Sequence, residues 1–169
     1  LEIKKVFYPE NHEEIAKTLV NFGSCNYGLK NIARAKECWE QALPIIKEKK
    51  GEEDPEVARI LENLVFVYAD SRNTQKEREL LEEVVRIKKK HYGAGHFEFA
   101  VSQLKLAVVQ AKLGELIIAL TLATECEQIF MAQPDDGRYL QRCRTLQEKL
   151  RTNLSAQVRR DPAPVVTGM

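Results

Sequence analysis

The sequence predicts an all-α fold, a right-handed solenoid of three antiparallel helix pairs closed by a C-terminal capping helix. Three observations predict it. The chain matches itself at steps of 42 residues: Asn11-His12-Glu13-Glu14-Ile15-Ala16, Glu53-Asp54-Pro55-Glu56-Val57-Ala58 and Gly95-His96-Phe97-Glu98-Phe99-Ala100 fall in one register. Ile3, Ile45, Ile87 and Ile129 follow the same step, and a fixed period of this size marks an array of stacked units. Within each unit the apolar residues recur at steps of three and four, as on one face of a helix. The first run is Ile15, Ala16, Leu19, Val20, Phe22, Gly23 and Tyr27. The 8 glycines and 6 prolines are scarce and fall mostly between the periodic runs, against a turn-rich β-sandwich.

The elements follow in chain order. Residues 1–8 match the end of a second helix, so they read as the tail of a truncated preceding repeat, in a fragment of a longer protein. Repeat 1 is 12–53, with a first helix from Ile15 to Tyr27 and a second over Ile32–Lys49. The inner stripe of the second is Ala35, Trp39, Ala42, Leu43 and Ile46. Repeat 2 is 54–95. Asp54 is placed to cap its first helix, Pro55 suits the first helical position, and Glu56 complements the helix dipole. That helix runs from Val57 to Ala69, and a second runs over Thr74–His91 with Thr74 as its cap. Repeat 3 is 96–137, with helices from Phe99 to Leu113 and Leu116–Met131 around Gly114, which ends the first. Ala119, Leu122, Ala123, Cys126 and Ile129 form its inner stripe.

Lys30 and Arg72 stand where repeat 3 has Gly114, so two turns must form without glycine. Glu77 stands where the other repeats have Ala35 and Ala119, and Val84 where the first has Ala42, so the second repeat is the least regular and its second helix is expected to pack less closely. Residues 138–154 form one amphipathic helix on Leu140, Cys143, Leu146, Leu150 and Leu154. Its polar face of Arg142, Arg144, Gln147, Lys149 and Arg151 suits the end of a solenoid. Residues 155–169 hold Asp161-Pro162-Ala163-Pro164 and no periodicity, and read as a disordered tail.

Composition excludes several functions. Lys and Arg number 26 against 25 Asp and Glu, so bulk positive charge does not supply specific nucleic-acid binding. No apolar run is long enough to span a membrane. Cys25, Cys38, Cys126 and Cys143 form no CxxC pair, so zinc spacing is absent and free thiols in a reducing cytoplasm are expected. The sequence holds no phosphate-binding Gly loop, GxSxG or HExxH. His12 and His96 occupy the slot of Asp54 and read as cap or turn residues, and His91 has no ligand set around it. No catalytic residue, cofactor or metal site is predicted, and the chain is not expected to be an enzyme. Charge is unevenly spread: between Arg138 and Arg160 there are seven Lys or Arg and one Glu.

Ala16-Lys17-Thr18-Leu19-Val20-Asn21-Phe22, Ala58-Arg59-Ile60-Leu61-Glu62-Asn63-Leu64 and Ala35-Lys36-Glu37-Cys38-Trp39-Glu40-Gln41-Ala42-Leu43 together resemble the tetratricopeptide repeats of kinesin light chains. Tyr68 and Gly114 also fall where that family commonly has Tyr and Gly. The resemblance covers all three repeats. It implies a cytoplasmic protein-interaction module whose groove binds short peptides, often acidic around an aromatic. Gln103 and Lys105 depart from it, standing where the other repeats have Leu19 and Leu61, and Asn21 and Asn63.

In stacked helix pairs the first helices line the inner surface. The expected groove is Lys17, Asn21 and Ser24; Arg59, Asn63 and Phe66; and Ser102, Lys105 and Val109. Asn21 and Asn63 can donate and accept, which suits clamping a peptide main chain. Lys17, Arg59 and Lys105 would favour carboxylates on that peptide, and Phe66 and Val109 would seat an apolar anchor. The competing role for the two asparagines is helix packing alone. The competing functions are a structural spacer, a self-associating array, or a regulatory domain of a larger enzyme.

Overall fold

The computed structural model describes residues 12–133 and 137–160. Segment 1–8 and residues 161–169 of the expected tail lie outside them. Seven helices run in order among the described residues: α1 Glu13–Gly28, α2 Ile32–Lys50, α3 Pro55–Asp70, α4 Thr74–Tyr92, α5 Phe97–Lys112, α6 Leu116–Ala132 and α7 Arg138–Arg160. Each helix packs on its chain neighbours, and α7 also touches α5, so the fold is an all-α solenoid.

The helix ends repeat with the sequence. His12 Nδ1, Asp54 Oδ1 and His96 Nδ1 accept from the backbone N–H two residues on, at 3.1, 2.8 and 3.1 Å. The turns inside the repeats repeat as well. Lys30, Arg72 and Gly114 all take positive φ, at 65°, 57° and 86°. In each, the next residue's N–H reaches back to Asn26, Tyr68 or Gln110 oxygen at 2.8–3.0 Å, closing the helix by a Schellman bond. Lys30 and Arg72 thus form the glycine-type turn in a conformation that costs an L side chain about 1–2 kcal/mol. Asn73, not Thr74, caps α4, accepting from Lys76 N–H at 3.1 Å.

The core is built from register-matched residues that compensate in volume. Ala16, Ala58 and Ala100 are all fully buried where first and second helices meet. Gly23, Val65 and Ala107 share one place on the first helices, and Trp39, Leu81 and Ala123 share one on the second helices. Gly23 leaves room for the largest partner: a Cβ there would lie 2.5 Å from Trp39 Nε1, which donates to Val20 oxygen at 3.2 Å. At the Ala107/Ala123 end α7 fills the space. Cys143 Sγ and Gln147 Nε2 both reach Ala123 oxygen, at 2.8 and 3.2 Å.

Gln147 is therefore buried, not part of the polar outer face. The helix also runs past its expected end at 154. Ser155 Oγ donates to Arg151 oxygen at 2.9 Å, and no Gly or Pro interrupts the chain before Asp161-Pro162, so residues 155–160 are helical rather than tail.

Glu77 is buried as an ion pair rather than as a packing defect. Its carboxylate accepts from Lys112 Nζ at 3.1 and 3.2 Å across repeats 2 and 3.

Candidate functional site

The first helices α1, α3 and α5 carry the expected groove residues. Ser24 and Tyr27 of α1, with Asn63 and Phe66 of α3, surround a recess of about 330 Å³ floored by Trp39. Tyr27 is 5.8 Å from Trp39 and 6.1 Å from Phe66 between ring centroids, and its hydroxyl donates to Asp70 Oδ2 at 2.9 Å. Repeats 1 and 2 are thereby tied together at the rim. Phe66 is 46% exposed, so part of its ring is open to solvent. Asn21 is exposed and Asn63 half-buried, and neither side-chain amide is hydrogen-bonded among the described residues.

The expected cations are placed differently. Lys17 Nζ lies 2.8 Å from Glu13 and 3.2 Å from Glu14. Arg59 faces Glu56 at 3.7 Å, and Lys105 Nζ lies 2.8 Å from Glu62 while sitting 5.8 Å over the Phe66 ring. All three are charge-compensated within the chain, and sequence spacing hid this for Glu62, which reaches Lys105 from the preceding repeat.

Glu62 is the centre of an ionic cluster between repeats 2 and 3. Lys88 Nζ is 3.2 Å from Glu62 and 3.1 Å from Glu98, and Ser102 Oγ lies 3.4 Å from Glu62. Burial disfavours the charged form of Glu62, but the bonds and charges of Lys105 and Lys88 outweigh it, and its pKa falls below the ordinary carboxylate value.

Two expected groove residues do not reach the surface. Ser102 is fully buried and also donates to Glu98 oxygen at 3.3 Å, and Val109 is packed in the core. The register explains both. Ser102 corresponds to Thr18 and Ile60, and Val109 to Cys25 and Val67, whereas the counterpart of Ser24 and Phe66 is Val108. Val108 is half-buried and lines a second recess of about 330 Å³ with Gln141, Arg142, Thr145, Leu146 and Lys149 of α7. Tyr27 was legible only as a packing residue, although it lines the first recess.

Residues 14–90 match the family model of the tetratricopeptide repeat. This segment carries tetratricopeptide repeats. Similar solved structures agree on the fold. The nearly identical TPR-like repeats of a Podosopora anserina kinesin-light-chain-type protein superpose with a TM-score of 0.70 at 19% identity, covering 96% of this chain and 84% of that one. A single-substitution variant of it gives 0.68 at 21% identity, covering 94% and 82%. BtubC (BKLC) from P. vanneervenii gives 0.62 at 16% identity, covering 91% and 68%. No curated protein matches the chain. Tetratricopeptide arrays are a scaffold for protein–protein interaction in general, stacking helix pairs into an extended binding surface. No described helix is long and apolar enough to cross a membrane.

Two of the cysteines, both in the C-terminal part of the solenoid, are shielded from reaction. Cys126 and Cys143 are buried, and desolvation raises both thiols, Cys143 to about 11, so neither is a thiolate near neutral pH.

Proposed function

We propose that the array is a non-catalytic peptide-binding module of a cytoplasmic protein. Its first-helix surface takes a short extended segment of a partner, with acidic residues around an apolar or aromatic anchor. The observation that carries this reading is the pair Asn21 and Asn63. Asn63 lines the Tyr27–Phe66 recess, Asn21 lies one repeat before it and one helical turn before Ser24 of the same lining, and neither amide is hydrogen-bonded among the described residues. An amide with free donors and an acceptor can pair with both groups of a peptide unit, and an aromatic-walled recess offers an anchor site. A screen of the chain against an array of short peptides tests this. Binders are expected to combine an aromatic or large aliphatic residue with carboxylates, and Asn21→Ala with Asn63→Ala should abolish most spots. Binding unaffected by both changes would remove the groove assignment.

A second reading, self-association, rests on a different surface. The outer faces of α2 and α4 carry ion pairs: Arg34–Glu37 at 2.7 Å and Lys36–Glu40 at 3.7 Å, then Lys76–Glu79 at 2.8 Å and Arg78–Glu82 at 3.7 Å. On α6 the same register places hold Ile118, Thr121, Leu120 and Thr124. Ile117 beside them is 72% exposed and Met131 60%. An uncharged outer face on one helix of three favours a second copy of the chain against it. Sedimentation of the chain and of Ile117→Lys/Ile118→Lys decides: a dimer that the substitutions dissolve supports self-association, and a monomer at all concentrations removes it.

A further inference from the structure

The recess between α5 and α7 differs from the groove centre in one respect that bears on the ligand. Lys17, Arg59 and Lys105 each face a carboxylate of this chain. Arg142 and Lys149 rim the α5–α7 recess and have no ion-pair partner among the described residues. Arg142 instead lies 5.6 Å over the Tyr139 ring, a contact that leaves its charge uncompensated. Arg151 beside them bonds only the neutral Gln147, at 3.4 Å. The recess floor is apolar, from Val108 and Leu146, and Gln141 and Thr145 add hydrogen-bonding groups at the wall. Val108 takes the register place of Ser24 and Phe66, so this recess continues the first-helix surface toward the C-terminal end.

We propose that the carboxylates of a bound peptide are held here, on Arg142 and Lys149, with an aliphatic side chain against Val108 and Leu146. The proposal rests on the peptide-binding reading of the groove and relocates its acidic specificity from the middle of the array to its end. An unpaired cation attracts a carboxylate more strongly than one already neutralised at 2.8 Å, because the paired cation must first give up its partner. The chemistry favours a peptide over a nucleic acid. No aromatic lines the recess, the nearby Tyr139 ring is covered by Arg142, and an aliphatic floor has nothing to stack on a base.

The test is methyl NMR of the whole chain, titrated with a peptide of one leucine followed by four glutamates and with its glutamine counterpart. The glutamate peptide should shift the Val108 and Leu146 methyls, with an apparent Kd that rises at least fivefold between 50 and 300 mM salt, on the order expected for two screened charge contacts. The glutamine peptide should bind at least tenfold more weakly. Lys149→Glu, at an exposed position with no bond to lose among the described residues, should weaken binding about tenfold, and Arg142→Glu/Lys149→Glu should abolish it. Asn21→Ala/Asn63→Ala should leave this short probe unaffected. No shift at Val108 and Leu146, or equal binding of the two peptides, overturns the proposal. Loss on the asparagine changes with none on the Lys149 change also overturns it, while leaving the groove reading in place. Stronger binding of a single-stranded oligonucleotide than of the glutamate peptide overturns the assignment to a peptide.

Discussion

Repeat 1 and the junction of repeats 2 and 3 solve the same packing problem with opposite chemistry. Val20 and Ile46 are buried apolar residues in repeat 1, and their register counterparts Leu104 and Phe130 are buried in repeat 3. At the corresponding places repeat 2 has Glu62 and Lys88, which bond each other at 3.2 Å and recruit Glu98, Lys105 and Ser102. A solenoid contacts only its neighbours, so one junction can turn ionic while the others stay apolar. The ionic solution makes the junction sensitive to pH and to loss of a single partner. It also neutralises Lys105, so the proposed groove would rely at its middle on Asn21, Asn63 and the Tyr27–Phe66 recess.

The largest expected effect comes from breaking the ionic junction on one side. Glu62→Ala leaves the buried Lys88 with Glu98 alone and should destabilise the chain by about 3 kcal/mol in urea unfolding, the lower end for an orphaned buried charge. Replacing both partners by their repeat 1 counterparts, Glu62→Val/Lys88→Ile, should leave stability unchanged or raise it by about 1–4 kcal/mol. A double variant as unstable as the single one would show that the cluster is needed for the fold itself.

The apolar junction breaks by volume. Gly23→Ala sits mid-helix, where alanine ordinarily stabilises by about 1 kcal/mol. Here its Cβ meets Trp39 at 2.5 Å, so the chain should instead lose about 1–3 kcal/mol. Recovery in Gly23→Ala/Trp39→Leu, which approaches the Val65/Leu81 arrangement of repeat 2, would assign the loss to that contact.

Acid separates the two regions by sign. The Glu62 pKa is lowered in the fold, so its stabilising share is complete above the unfolded carboxylate pKa, about 4.3. That share is lost as pH falls through the lower folded value. Hydrogen exchange below pH 4 should therefore open the Glu62–Lys88 junction before the Gly23–Trp39 junction. Simultaneous opening would count against the ionic cluster. The smallest effect is at the turns: Lys30→Gly or Arg72→Gly relieves a positive φ and should add about 0.5–1 kcal/mol each in thermal unfolding.

The pattern of what was legible follows from this contrast. Repeat length, helix pairs, the His12, Asp54 and His96 caps and the buried alanines are local features written in periodicity and register. The ionic cluster was not legible, because Glu62 and Lys105 are polar residues whose partners come from other helices, and a sequence window shows neither. Ser102 and Val109 were each misplaced by one helical position; for Val109 that is a 100° rotation from the half-buried Val108 into the core, whereas Val101, the register counterpart of Lys17 and Arg59, is buried like Ser102. The 42-residue step applied to Ser24 and Phe66 leads to Val108 and would have corrected the second of them. The helix through residues 155–160 was missed because a polar, charged segment carries no apolar stripe even when its propensity is helical.

The most direct test of the peptide-groove reading is calorimetry with the best peptide from the array screen, on the native chain, Asn21→Ala/Asn63→Ala and Ile117→Lys/Ile118→Lys. Loss of two net hydrogen bonds should weaken the asparagine variant at least tenfold, at about 1 kcal/mol each, while the isoleucine variant binds as the native chain does. Unchanged binding by the asparagine variant, with loss on the isoleucine variant, would contradict a peptide groove on the first helices and place the interaction surface on α6.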